Sequence, residues 1–457
     1  SAGIVIPVGE TVCVYAVIPE GKFPQGLTLD VYTSVADQIG IQVTPAGGLN
    51  ITRGVETELE TVEYTDVKIE SITTAEEFVA LAEAINKGRA DRFKNAFGEI
   101  VLGNDIDFEG VAVPQITGLD GSGFADVFNG QGYALKNLTT PATLITANAG
   151  TIKNLILEGC DLAGFVDNNA GTIDNVSIVT GTLTNFVGTN SATIGNITVR
   201  SGKLSDSLIG TNNADAIVSN VTLDDATTIS FEAPTAAKNI GFVVGTNKGT
   251  VSNCSSAVVY TETLASLPKA DCNFGGVVGY STGLVSDCNF TGKLEMRVTA
   301  PTSGQHHGFG GVVGRIEGTS GKIMVQNCKN SGSVIMNYVT AVYVYTGGVV
   351  GGSPAAKNAP GDYGTIDNCE NTGKVAMIYD NGGSGAYPNL GGVCGYLEGY
   401  IQNCINRGEV SIELKHATTT WTSVKQGGVA GVVTCGADNC HNYGALKVVS
   451  GHFAGGT

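Results

Sequence analysis

The sequence predicts an all-β protein organised around a right-handed parallel β-helix. Three observations carry that prediction. A short phrase ending in Asn, as in GTIDNC at 364–369, recurs through most of the chain. A Gly-Gly phrase, as in FGGVVG at 274–279, precedes it throughout the later half. Gly supplies 65 of 457 residues while charged residues are only 15%, a composition of strands and tight turns.

Residues 1–66 read as a small β-sandwich-like module. VCVYAVI, LTLDVYT and IGIQV alternate as strands do, with turns at PEGKFPQG and TPAGG. Residues 67–457 read as the β-helix. It begins with an amphipathic segment, ITTAEEFVALAEAINKG at 72–88, in which Phe78, Leu81, Ala82 and Ile85 share one helical face and Thr73 or Thr74 can cap the start. Such a helix closes the open end of a solenoid core. EIVLGNDIDFEG at 99–110 follows as a strand with acidic turns. Asp105 and Asp107 read as turn residues, because a calcium site needs six or more oxygens.

The anchor of the repeat is Asn154, Asn175, Asn196, Asn220, Asn253, Asp287, Asn327, Asn368, Asn403 and Asn439, at spacings of 21, 21, 24, 33, 34, 40, 41, 35 and 36. Each unit holds three short β-prone pieces. A 21-residue period is too short for helix pairs and suits one three-stranded coil, and the leucine framework of leucine-rich repeats is missing. In GTIDNC, Ile366 should point inward and Asp367 outward. Asn368 should turn the chain through the left-handed region, so that Cys369 points inward again. Coils stack about 4.8 Å apart, so equivalent residues form columns and amides can bond from coil to coil.

Two further columns follow. Cys254, Cys288, Cys328, Cys369, Cys404 and Cys440 fill one inward position, taken earlier by Leu155, Val176, Ile197 and Val221. These six of the eleven Cys read as buried, reduced, apolar fillers. Two residues on, Asn330, Asn371, Asn406 and Asn442 form a second amide column with a structural role.

The later units are longer because of insertions between the Asn phrase and the next Gly-Gly phrase, within residues 293–426: KLEMRVTAPTSGQHHGF, SVIMNYVTAVYVYT, KVAMIYDNGGSGAYPNL and EVSIELKHATTTWTSVKQ. Several resemble extended arms or hairpins, and all should leave the rod on one side. They hold the candidate ligand-binding residues Tyr338, Tyr343, Tyr345, Tyr379, Tyr387, His416 and Trp421, the single Trp. Aromatic faces with Asp and Asn beside them can hold a sugar or a protein partner. The structural alternative, that most of these rings pack the arms onto the rod, is the expected one for the majority. His306-His307 has no evident third ligand, so no metal site is assigned.

From the helix onward, over about residues 70–457, the arrangement resembles bacterial surface proteins with GLUG-type repeats. The entry segment with NDIDFEG and FADVFNGQGYALKNL, and the FGGVVG, Asn-Cys and TGKV phrases, carry that resemblance. Residues 1–66 loosely resemble a strand module of fimbrillin-like surface or pilus proteins. The resemblance implies an exported protein at the bacterial surface or outside the cell, with a lipid anchor outside these residues and a role in adhesion.

A net charge of −17, from 25 basic and 42 acidic residues, argues against a nucleic-acid partner. No run of 18 apolar residues suggests a membrane span. No Ser/His/Asp or Cys/His arrangement stands out, and Asp174, Asp287 and Asp367 are isolated turn acids, so no catalytic residue and no cofactor are assigned. The expected function is non-catalytic adhesion or binding of a glycan or a host or cell-surface protein through the arms of the later coils. The alternatives are a polysaccharide hydrolase or lyase on the same fold, which would need a carboxylate pair in a groove, and a structural surface stalk.

Overall fold

The computed structural model describes residues 21–23, 27–32, 38–43, 49–53, 69–268, 270–299, 303–339, 341–353, 363–380, 387–415 and 424–450. In the N-terminal region Gly21–Phe23 pairs antiparallel with Leu49–Ile51, and Leu27–Tyr32 pairs antiparallel with Gln38–Val43. The VCVYAVI segment lies outside the described residues.

The solenoid starts under its helix, Ala75–Asn86. Thr74 accepts from the Glu77 amide at 3.1 Å and Glu77 reaches back to the Thr74 amide, which completes a capping box. Phe78, Leu81, Ala82 and Ile85 are buried. Phe78 meets Phe108 and Phe128 edge-on at 5.2 and 6.1 Å, so the helix seals this end of the core. Asp105 and Asp107 serve turns: Asp105 accepts from the Ala134 amide and pairs with Lys136, and Asp107 accepts from Asn137 and the Glu109 amide.

Beyond the helix the chain winds as a right-handed parallel β-helix whose strands pair in register with the same strands of the next coil, as in Thr151↔Thr172↔Thr193 and Ile152↔Ile173↔Ile194. All ten anchors have positive φ, between 47° and 56°. Each therefore bends its strand and breaks the alternation, so that Ile366 and Cys369 are both buried on either side of Asp367 and Asn368. The anchor amides bond along the rod: Asn175 donates to Asn154 at 2.8 Å, Asn368 to Asn327 at 2.8 Å and Asn439 to Asn403 at 2.9 Å. Asp174 and Asp367 join this ladder as acceptors from Asn196 and Asn403.

The insertions are not separate hairpins. Their first strands, from Val259–Leu264 to Leu446–Ser450, form one six-stranded parallel sheet. Their second strands, from Lys238–Gly241 to Lys425–Gly427, form another. Each inserted strand pairs with its counterpart in the next coil, not with its sequence neighbour. The result is a two-sheet wing, an outgoing and an incoming layer, running along six coils on one side of the rod. Its interior is continuous with the rod core through Tyr260, Met296, Met336, Met377, Phe274, Phe309 and Leu390.

Wing and rod meet at a narrow waist, which explains the Gly-Gly phrase. A Cβ on Gly348 would lie 2.2 Å from the Gly392 carbonyl oxygen and 2.4 Å from the Asn371 side chain. From Gly311 onward the second Gly of each pair thus lies against the buried amide column, with Phe290 in the equivalent place beside Gly276; in the column Asn330 donates to Asn371, Asn371 to Asn406 and Asn406 to Asn442, each at 2.7 Å. Each amide also holds the carbonyl of the Gly two residues on. A polar core column is tolerable because its donors and acceptors are matched.

Candidate binding corner

Where the incoming wing layer turns back into the rod at Gly-Gly, two strands of one coil form a re-entrant corner. Asn239 on the incoming strand donates to Thr246 on the return strand at 3.1 Å, which fixes the facing pairs. The register then places Asn273 opposite Tyr280, Gly308 opposite Arg315, Tyr345 opposite Gly352 and Asn389 opposite Tyr396. Large and small residues alternate across the corner. A Cβ on Gly352 would sit 2.8 Å from the Tyr345 ring, so the glycine is what lets that ring lie down.

A polar network fills the corner. Asp271 accepts from the His306 amide at 3.1 Å and pairs closely with Arg315. Tyr280 donates to Glu317 at 2.6 Å and Tyr396 to Glu398 at 2.8 Å. The His306 ring meets the Tyr345 hydroxyl at 2.5 Å. Burial, reinforced by Glu317, pushes the Tyr280 phenol well up, and burial does the same to Tyr345. Three buried polar atoms here, Asn273 Oδ1, Arg315 Nε and Asn389 Oδ1, have no hydrogen-bond partner among the described residues. Such orphans are scarce in folded proteins, and each calls for a partner such as a water, an ion or a ligand.

Outside this network runs a half-buried column in consecutive coils: Asp271, His306, Tyr343 and Tyr387. His306 stacks on Tyr343 at 4.5 Å and Tyr343 on Tyr387 at 4.6 Å, nearly parallel. The rings therefore cover one another's faces, and the His306 Nδ1 edge turns to the Tyr345 hydroxyl.

Of the seven residues singled out in the sequence, this site gathers Tyr343, Tyr387 and Tyr345. Tyr343 and Tyr387 are half-buried on the outer column. Tyr345 is 1% exposed, stacked on Tyr396 at 4.8 Å, and so supports the corner from beneath rather than touching a ligand. Tyr338 and Tyr379 are corrected outright. Both are within 1% of complete burial inside the wing, 5.2 Å apart, because their strand positions alternate inward with Val334 and Met336. His416 and Trp421 lie outside the described residues. His306 and His307, adjacent on one strand, point to opposite faces and cannot chelate together. His307 is fully buried, takes the Cys272 amide on Nδ1 at 3.2 Å, and is held down to a pKa of about 4 by burial.

The sequence reading missed the corner partners Asp271, Tyr280, Arg315, Glu317 and Tyr396. It also missed a third amide column, Asn148, Asn169, Asn190, Asn212 and Asn247, fully buried and bonded in series at 2.7 to 2.8 Å. Its signal was present: apart from Asn212, each of these precedes the next anchor by six residues. The cysteine column is buried as expected down to Cys404, with Cys440 partly open, and burial raises the thiols of Cys254, Cys328 and Cys369. A thiol kept protonated in this way is a poor nucleophile.

On the other flank of the waist lies an open groove of about 340 Å³ lined by Ser255, Asn289, Lys329 and Glu370 among others. It has neither stacked aromatics nor orphaned buried atoms. Among the described residues no helix is long and apolar enough to cross a membrane.

No family model matches the chain, and no curated protein does. Among solved structures the chain is similar to one described as a "putative immunoglobulin A1 protease" from Bacteroides ovatus, at 14% identity, over 82% of this chain and 83% of that one, with a TM-score of 0.23. A likeness at that TM-score carries no argument about activity.

Proposed function

We propose that the protein is a ligand-binding surface protein of the adhesion type, exported from a bacterial cell, which holds a glycan on the outer column of the binding corner. The observation that carries the reading is the column itself. Asp271, His306, Tyr343 and Tyr387 repeat once per coil as a half-buried line, over a network containing orphaned buried polar atoms. Ligand sites are largely preformed and carry a few fixed polar groups that orient the ligand. The resemblance of the repeats to GLUG-type surface proteins supports the location and the adhesive role. A glycan and host-matrix array with the intact protein tests the reading: selective binding to one glycan class is expected, and silence on every glycan would overturn it.

One observation favours an enzymatic alternative. Glu317 accepts from Tyr280, and Asp271 pairs with Arg315, two residues before Glu317 on the return strand, so two carboxylates share the corner. A hydrolase places two carboxyl groups across a scissile bond. Release of reducing ends from a polysaccharide panel, abolished in Asp271→Asn and Glu317→Gln, would establish it. Binding without turnover would exclude it.

A further inference from the structure

We infer that the ligand of this corner is a neutral, linear, extended polysaccharide lying parallel to the rod axis, with one sugar unit over each coil. The inference rests on the glycan reading above and adds the shape, direction and charge of the ligand.

Direction comes from the register. Asp271, His306, Tyr343 and Tyr387 occupy one position of four successive coils, so they form a half-buried line along the rod. The ring centroids repeat at 4.5 and 4.6 Å. Three coil steps cover roughly 14 Å at the usual interstrand spacing.

Class comes from matching that repeat. An extended peptide presents one face every second residue, about 6.6 Å, and slips against a repeat of about 4.8 Å by nearly 2 Å at each contact. A β-1,4-linked pyranose chain advances by close to the coil spacing per unit and turns alternate units over, so each coil still meets one unit and the same edge returns at every second coil. Stacking of the column rings on each other removes their faces from use. What remains are the edges of Tyr343 and Tyr387 and the part of the Asp271 carboxylate exposed beyond its bonds to the His306 amide and Arg315, which suits sugar hydroxyls.

Charge excludes acidic polymers. Over the coils of Asp271 to Tyr387 the described residues of the corner carry Asp271, Glu317 and Glu398 against Arg315, whose guanidinium is already engaged by Asp271, and the next cation of the column, Lys425, lies one coil further on. A uronic or sialic carboxylate would meet like charge over these coils.

The test is a length series. Oligomers of two to six units of β-1,4-linked glucose, mannose and N-acetylglucosamine are titrated against the intact protein, with α-1,4-linked glucose oligomers and an oligogalacturonate as comparisons. At least one β-1,4 series should gain about tenfold in affinity per added unit up to four units and then level off, as one hydrogen-bonded contact per coil would give. The α-linked and acidic series should bind at least tenfold more weakly. Tyr343→Phe, which keeps the ring stack and removes one hydroxyl, should lower four-unit affinity about tenfold. Equal affinity at all lengths, or equal binding of the α-linked or acidic series, overturns the inference while leaving glycan binding standing. No binding by any series, together with a silent array, overturns both.

Discussion

At the scale of single residues, the fold depends on a few positions where chemistry leaves little choice. Asn368 combines φ of 50° with a hydrogen bond donated by its side-chain amide to Asn327. Replacing it by Ala should cost about 2–3 kcal/mol, adding the left-handed penalty to a lost hydrogen bond. Asn368→Gly should recover the backbone part, so urea midpoints should rank wild type, Gly, Ala. Gly348 is stricter, because a methyl group would press on a carbonyl 2.2 Å away in the next coil. Gly348→Ala should destabilise by about 3 kcal/mol or more, visible as a sharply lowered thermal midpoint. These positions were legible in the sequence because they act locally: Asn before an inward apolar residue and Gly-Gly both announce their backbone. Tyr345 was not legible. It shares its outward parity with Tyr343, yet it is buried because Gly352, seven residues later, leaves room for its ring.

At the scale of elements, the insertions were expected as arms and form stacked sheets instead. Alternation within each insertion identifies strands but does not say which strand is the partner. In-register pairing wins here because each coil repeats the same inward set, Leu294, Met296 and Val298 over Val334, Met336 and Tyr338, and buries it against the incoming layer. That layer contains a pH-sensitive element. His307 has a folded pKa of about 4, below the value near 6.5 of a free imidazole. Its neutral form is the one the fold accepts, so the unfolded chain takes up its proton first. The contribution of His307 is fully present above about pH 6.5 and is lost as pH falls towards 4, by about 3 kcal/mol in all. A pH series of urea midpoints should show this slope, and His307→Leu should flatten it. The cysteine column makes a second element-scale prediction. A thiol reagent should label the partly open Cys435 and Cys440 in the folded protein and leave Cys254, Cys288, Cys328, Cys369 and Cys404 unreacted until unfolding.

At the scale of the molecule, the rod supplies periodicity and the wing supplies a surface that repeats at the same period. The rod was readable from spacing alone, because ten anchors at related intervals leave few architectures. The binding corner was only partly readable. It arises where an incoming strand and a return strand meet, and its members Asp271, Tyr280, His306, Arg315 and Tyr343 come from three coils, spread over more than seventy residues. No local phrase marks such a set. The three amide columns hold the coils together inside, so the outer column is left with little structural duty beyond its own stacking.

The central claim, that the outer column of the corner is the ligand site, is tested most directly by comparing wild type with the Tyr343→Ala/Tyr387→Ala double variant. Glycan affinity and urea midpoint should be measured on the same samples. The account predicts at least a hundredfold loss of affinity with a midpoint close to wild type, because both rings lie outside the hydrophobic core. Unchanged affinity in a folded double variant would contradict it and place the ligand elsewhere on the rod.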